Sequence, residues 1–354
     1  MTQGELNKKA LIAMSGGVDS SVSALLMLER GYSCTGVTMS LFKKSTCGGE
    51  DDIRDAKKVC ESLGIEHEVI NFAARFDKDV IKPFIDAYSH GRTPNPCVDC
   101  NRNLKFGELF ARAKELGCDC VVTGHYVRVR YDEEKGRYVL VKAVDPKKDQ
   151  SYVLYSLKQE QLAHVQFPLG DYCKPEIREL AEKHGFINAH KQDSQDICFV
   201  ENGKYAEFIE AKTGKKFPAG NFVDVEGKVL GRHKGIIHYT VGQRKGLGLA
   251  LPQPMYVKEL DVAHNRVILA TNDQLFGTHV VAKDINLIDC EKISEPRRLK
   301  ARIRYHHVEQ WATVTQPDED TLVVDFDEPQ RAITKGQSLV LYDGDVVVGG
   351  GTIV

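Results

Sequence analysis

An apolar run, Ala10 to Met14, leads straight into Ser15-Gly16-Gly17-Val18-Asp19-Ser20, and behind it Val22, Leu25, Leu26 and Leu28 fall at helical spacing. Few folds accept that order. A run that is apolar at every position fits a strand buried on both faces, and the glycines permit a tight turn that exposes consecutive N–H groups. Gly31 suits the end of the helix. The turn meets that helix at its positive N-terminal end, so it is prepared to bind phosphate, with Ser15 and Ser20 adding hydroxyl donors. It carries neither Gly-x-x-x-x-Gly-Lys nor Gly-x-Gly-x-x-Gly, which sets it apart from the Walker and dinucleotide loops.

The alternation then repeats. Tyr32 to Met39, Glu68 to Phe72 and Cys120 to Thr123 read as strands. Ile53, Ala56, Val59, Cys60 and Leu63, closed by Gly64, mark one helix; Leu104, Leu109, Phe110, Ala113 and Leu116 mark another. Strand and helix in turn predict an α/β fold with a parallel sheet and helices on both faces. Ligands in such sheets bind outside the carboxyl ends of the strands, which places Met39 and Gly124 at the site together with Ala13, Met14 and the turn. Tyr126 to Val144 reads as a hairpin, and helical patterns resume from Lys158 to Gly185. From Phe222 onward the texture changes. Short runs at Arg266 to Ala270, Leu299 to Tyr305, Trp311 to Thr315, Thr321 to Phe326 and Ser338 to Leu341 predict an all-β module, a small barrel. The expected division is an α/β domain over 1–205, a small central domain over 206–272 and a β-barrel over 273–354.

Met1 to Lys9 shows no signal-peptide apolar core and no run is long enough to span a bilayer, so a cytoplasmic protein without membrane contact is expected. Ten cysteines in such a compartment do not read as a disulfide framework. The net charge of −2 argues weakly against nucleic-acid binding. Local basic runs nevertheless permit contact with an RNA backbone: Lys142, Lys147 and Lys148; Arg244 and Lys245; Arg297, Arg298, Lys300, Arg302 and Arg304.

Two loops carry cysteine in unusual surroundings. In Gly91-Arg92-Thr93-Pro94-Asn95-Pro96-Cys97-Val98-Asp99-Cys100-Asn101 the two prolines fix the backbone and exclude regular structure. The loop holds two thiols at C-x-x-C spacing just before a helix, where a thiolate is favoured. Asp193-Ser194-Gln195-Asp196-Ile197-Cys198-Phe199 offers a third, which on its own reads equally as a packing residue. Zinc is a competing occupant of these cysteines, with Cys118 or Cys120 as a fourth ligand, although those two are spaced more tightly than the usual zinc knuckle and flank a buried strand.

Ser-Gly-Gly-x-Asp-Ser after a first strand resembles the pyrophosphatase loop of the PP-loop ATPases, whose fold is adenine nucleotide alpha hydrolase-like and which split ATP between its α and β phosphates. Thr93-Pro94-Asn95-Pro96 with Cys100-Asn101, Gly124-His125-Tyr126, Lys148-Asp149-Gln150-Ser151-Tyr152, Asp196-Ile197-Cys198-Phe199 and Gly242-Gln243-Arg244-Lys245-Gly246-Leu247-Gly248 follow in order. Together they are similar to the tRNA-specific 2-thiouridylase (MnmA) family along nearly the whole chain. The resemblance implies ATP and Mg²⁺ at residues 13–20 with Val18 and Asp19 among them, Asp19 positioning the metal, and adenylation of the uridine C2 oxygen. It implies Cys198 as persulfide carrier and Cys100 as its partner, which attacks the persulfide and ends bonded to Cys198. It places Asn95, Pro96, Cys97, His125, Lys148, Asp149, Gln150, Arg304, Tyr305 and Gln337 against tRNA, and makes the central domain and barrel RNA-binding. It also implies a sulfur donor, either a cysteine desulfurase or a relay protein, and the wobble uridine of the Lys, Glu and Gln acceptors as target.

The chain departs from a common family pattern by carrying Cys97 where an aspartate stands. Cys97, Cys100 and Cys198 are then three candidate ligands for a [4Fe–4S] cluster with one open iron, so the sulfur rides either on Cys198 or on that iron. Two rival readings remain: a PP-loop ligase acting on a small molecule, and an RNA-binding protein using the ATP fold as a scaffold.

Overall fold

The computed structural model describes residues 8–41, 48–193 and 197–354. In chain order the first seven strands are β1 (Lys9–Ala13), β2 (Ser33–Ser40), β3 (Glu66–Asn71), β4 (Cys120–Val122), β5 (Val127–Asp132), β6 (Arg137–Lys142) and β7 (Val165–Gln166). Five of them form a parallel sheet in the order β3-β2-β1-β4-β7. The apolar β1 is central because each of Ala10, Leu11 and Ile12 is fully buried between neighbours on both sides.

Helices α1 (Val18–Glu29) and α2 (Glu50–Leu63) follow the first two strands. Gly64 ends α2 in the left-handed region at φ +67°, and its N–H reaches the carbonyls of the last turn. Next come α3 (Ala73–Phe76) and α4 (Lys82–Ser89), joined through a π-helical stretch at Asp77–Ile81. Then α5 (Pro96–Cys100) and α6 (Leu109–Glu115) are joined the same way through Asn101–Glu108. The remaining helices are α7 (Gln159–Leu162), α8 (Lys174–Lys183) and α9 (Tyr205–Thr213).

Two expectations need correction. The proline segment does contain regular structure. Pro96 opens α5, where its missing N–H costs nothing, and the Asn95 side chain accepts from the Cys97 N–H at 3.2 Å. The stretch from Lys158 to Gly185 is also not helical throughout. It contains β7, which pairs with β4 as the sheet's edge, and a 3₁₀ turn at Pro168–Asp171.

The central unit is a sheet of β8 (Gly220–Val223), β9 (Val229–His233), β10 (Tyr256–Asp261) and β11 (Arg266–Ala270), ordered β10-β11-β8-β9. The last strands are β12 (Phe276–Leu287), β13 (Arg297–Arg302), β14 (Gln310–Asp318), β15 (Thr321–Arg331), β16 (Ser338–Asp343) and β17 (Val346–Ile353). They run in the order β12-β15-β14-β13-β16-β17, and pairing of β12 with β17 closes the ring. Leu299, Ala312, Val314, Leu322, Val324, Leu339 and Leu341 alternate inward along these strands and are buried, as a small barrel requires.

The hairpin read at Tyr126 to Val144 is β5–β6, but it is held by the barrel rather than by the parallel sheet. Val141 and Leu140 pair with Val346 and Val347 of β17. The barrel is thereby fixed against the α/β unit. Among the described residues no helix is long and apolar enough to cross a membrane.

Candidate functional site

The turn between β1 and α1 is shaped by its glycines. Gly16 sits at φ +72°, and a Cβ there would lie 2.5 Å from the Asp52 carbonyl oxygen, so only glycine fits. Gly17 precedes α1 without any side-chain cap, which leaves the first N–H groups of a twelve-residue helix open to an anion. Ser20 is tied inward: its hydroxyl donates to the Gly17 carbonyl at 3.0 Å and accepts from the Ser15 N–H at 3.2 Å. Met14 and Val18 are buried in the core, so of the predicted nucleotide residues these offer only backbone, with Ala13 half-buried beside them. Met39, at the end of β2, packs between two apolar clusters.

Gly124 explains how a second strand end joins this turn. A Cβ on it would stand 2.9 Å from the Asp19 carbonyl carbon and the Ser20 nitrogen. Gly124→Ala is therefore expected to push the start of α1 outward, at a cost of about 1–3 kcal/mol, and to weaken ATP binding about tenfold or more through the displaced N–H groups. Thermal unfolding and ATP titration of that variant check this; unchanged affinity would contradict it.

Asp19 faces a buried cation that no local sequence signal announces. Lys174, at the first position of α8 and 9% exposed in its side chain, contacts Asp19 Oδ1 at 2.7 Å and Oδ2 at 2.8 Å. The Tyr126 hydroxyl donates to Asp19 Oδ1 at 2.7 Å. Lys174 also reaches Asp193 Oδ1 at 2.7 Å, and Lys148 reaches Asp193 Oδ2 at 2.6 Å. Burial works against ionising Asp193, but the hydrogen bonds from Lys148 and Lys174 outweigh it and hold the carboxyl below its usual range. The predicted Lys148 thus meets the site through Asp193. Asn188 and Lys191 brace the turn from the same side: both donate to the Gly16 carbonyl, at 3.0 and 3.2 Å.

Asp193 opens the loop that leads to Cys198; Ser194, Gln195 and Asp196 lie outside the described residues. Beyond them the loop is anchored by Phe199, buried against Phe76, Phe84 and Phe208 with ring centroids 5.1–5.5 Å apart. Cys198 packs on that aromatic cluster, and so does Cys100 from the end of α5. Leu104, on the π-helical continuation of α5, is fully buried in it. The two thiols, far apart in sequence, thus border one apolar cluster. Cys97 is exposed one turn before Cys100. The Tyr305 hydroxyl is pushed up first by burial and then by negative charge at Asp149 and Cys97.

The segment before α5 docks on the barrel. The Thr93 N–H donates to the Lys335 carbonyl at 2.8 Å, and Gln337 Nε2 donates to the Thr93 carbonyl at 2.8 Å. Of the residues expected against tRNA, Asn95, Pro96, Cys97, Arg304, Tyr305 and Gln337 gather here. Three others are committed elsewhere. Asp149 is buried and accepts from the Ala143 N–H and the Ser151 hydroxyl. Gln150 accepts from the Tyr126 N–H at 2.9 Å. His125 is buried between Phe106 and Phe167, with Nδ1 2.7 Å from the Thr123 hydroxyl; burial, then the charge of Lys105, keeps it neutral.

Asp99, between the two thiols of α5, is raised from 3.8 to about 6, chiefly by burial, with Arg102 opposing and Asp284 adding to the rise. Between those values the folded chain holds a proton that the unfolded chain has lost, so this contribution to stability falls as pH rises from about 4 to 6. Asp99→Asn is expected to stabilise the protein by on the order of 1–2 kcal/mol at pH 7.5 and by little at pH 4. Urea unfolding of both proteins at the two pH values checks this; an equal difference at both would contradict it.

Among the described residues no three His, Cys, Asp or Glu side chains, Cys118 and Cys120 included, are placed to hold an ion. Burial pushes Cys120 up to about 12 and raises Cys118.

Comparison with known proteins gives three family models in chain order. A tRNA methyl transferase HUP domain model matches residues 8–202, a tRNA methyl transferase PRC-barrel domain model 206–271, and an Aminomethyltransferase beta-barrel domain model 277–353. The chain is 47% identical over 355 residues to the tRNA-specific 2-thiouridylase MnmA of Clostridioides difficile, covering 98% of each chain. It is 49% identical over 358 residues to the tRNA-specific 2-thiouridylase MnmA 1 of Caldanaerobacter subterraneus subsp. tengcongensis, covering 99% of this chain and 98% of that one.

Proposed function

Because the chain belongs to the tRNA-specific 2-thiouridylase family, and so forms 2-thiouridine in tRNA, we propose how its own residues divide that work. ATP is held by the N–H groups at Gly16 to Ser20, where the uncapped α1 terminus fits a polyphosphate. Asp19 is the carboxylate suited to Mg²⁺, which when bound offsets charge on the pyrophosphate. Lys174 holds Asp19 in place and stands within reach of the same phosphates.

A C2 carbonyl oxygen is a very poor leaving group. Attack by that oxygen on the α-phosphate converts it into an AMP ester and releases pyrophosphate. The Cys100 thiolate then attacks Sγ of the Cys198 persulfide. The outer sulfur leaves with the S–S electron pair and bonds to C2 while AMP departs, and Cys100 and Cys198 end as a disulfide for a reductant to open. What supports this division is that both cysteines border one apolar cluster, with the loop to Cys198 starting at Asp193 beside Lys174. A dry border of this kind keeps water from the AMP ester.

The iron–sulfur route would need Cys97, Cys100 and Cys198 to converge as ligands. No three-donor group is so placed among the described residues. The sulfur reaches Cys198 from a cysteine desulfurase or a relay protein, and the target is the wobble uridine of the Lys, Glu and Gln acceptors. The test is pyrophosphate release with ATP and either unmodified tRNA or a mixture of small metabolites. Stimulation by tRNA alone is expected, and stimulation by metabolites alone would return the chain to the small-molecule ligases. Iron and labile sulfide measured after anaerobic purification separate the two sulfur routes.

A further inference from the structure

The basic run from Arg297 to Arg304 and the Arg244-Lys245 pair look alike in sequence, but the structure divides them by what they are bonded to. Arg297 is paired with Asp289 and Asp343, each at 3.3 Å, Arg298 with Asp327 at 2.5 Å, and Arg302 with Glu309 at 2.8 Å. Such cations are already neutralised and have little to offer a phosphate. Among the described residues, Arg244, Lys245, Arg304, Arg331 and Lys335 make no ion pair with any carboxylate.

These five are neighbours across two domains. A Cβ on Gly242 would lie 3.5 Å from the Arg331 guanidinium, so the loop bearing Arg244 and Lys245 runs against Arg331. Arg304 donates to the backbone carbonyls of Arg331 and Ala332, while the Arg331 guanidinium donates to the Asn272 side-chain oxygen at 2.9 Å and lies over the Tyr256 ring, both neutral partners. Lys335 follows on the same segment, its carbonyl bonded to the Thr93 N–H at the start of the thiol-bearing segment. The loop is also stiff. Gln243 accepts from the Thr240 N–H and donates to the Lys245 carbonyl, each at 3.0 Å. Leu247 is buried in the same apolar cluster that Cys100 and Cys198 border. Arg244 and Lys245 are left exposed on top.

A row of like charges brought together without counter-charge costs stability, and it is kept where a polyanion supplies what is missing. We infer that Arg244, Lys245, Arg331, Arg304 and Lys335 form a phosphate track that grips the backbone of the RNA arm carrying the target base, beside the segment that carries Cys97 and Cys100. The inference rests on the tRNA reading above and adds which cations hold the RNA and which do not. Single-stranded and helical backbone both fit the track, since phosphate contacts carry no base identity.

The test is the salt dependence of binding an unmodified tRNA transcript by the full chain, measured as log Kd against log salt concentration. Arg244→Gln with Lys245→Gln is expected to weaken binding at least about tenfold at low salt and to lower the slope by about 1.5–2, close to one per lost phosphate contact. ATP affinity and unfolding temperature should stay as in the native chain, since both side chains are exposed and, among the described residues, neither forms an ion pair. Arg298→Gln, which removes an equal charge from the paired set, should leave the slope unchanged. A native slope in the double variant, or an equal fall with Arg298→Gln, overturns the track alone. Failure of the native chain to bind tRNA at any salt concentration overturns the functional reading with it.

Discussion

Cys198→Ala is expected to lower 2-thiouridine formation by about three orders of magnitude or more, while ATP binding and tRNA-dependent pyrophosphate release continue. Cys198 packs on the border of the aromatic cluster around Phe199, whereas the phosphate turn is braced by Lys174, Asn188 and Lys191, so loss of the thiol leaves the adenylation site intact. Cys100→Ala should cost as much overall, with a different residue of chemistry. Sulfane sulfur still loads on Cys198 in that variant, but no thiolate is placed to attack it. Labelled sulfur retained on the protein, with none in the RNA, is the expected signature. Thiolation at the native rate in either variant would remove that cysteine from the mechanism.

Asp19→Asn acts at the other end of the site and is expected to stop the reaction earlier. The amide keeps the shape and the Tyr126 hydrogen bond but loses the charge that suits Mg²⁺ and holds Lys174. Pyrophosphate release should fall by about 10²–10⁴-fold, the scale of one lost electrostatic element in a closed site. Lys174 keeps Asp193 as a partner, so the fold should tolerate the change with a loss of no more than about 1–2 kcal/mol. Normal pyrophosphate release by this variant would refute the role given to Asp19.

These two residues also mark how far sequence reading reaches. The phosphate turn was legible because its signal is local: glycines, serines and a helix start within a few positions. The parallel sheet and barrel followed from periodicity, and Gly64 announced the end of α2 from its type alone. Lys174 was invisible, since nothing near it in sequence says that it folds onto Asp19, 155 positions away. β7 was lost because two residues carry no period. Helix α5 was misjudged because proline was weighed as a breaker, whereas at the first helical position it removes no hydrogen bond. Adoption of the β5–β6 hairpin by β17 depends on residues some two hundred positions apart, which pattern alone does not join. The basic runs gave charge without bonding state. Only the structure separates Arg298, spent on Asp327, from Arg331, which donates to the neutral Asn272 side chain and pairs with no carboxylate among the described residues.

The central claim is that one chain brings an ATP-activated uridine to a pair of thiols, and electron counting gives it a direct test. The outer sulfur of a persulfide must gain an electron pair to enter the RNA as a thione, and the proposed source is Cys100. The measurement is a single turnover of the Cys198-persulfide chain with ATP and unmodified tRNA in the absence of reductant, followed by peptide mass analysis and nucleoside analysis. The account predicts one Cys100–Cys198 disulfide for each 2-thiouridine formed. Full 2-thiouridine with both cysteines recovered as alkylatable thiols would contradict it.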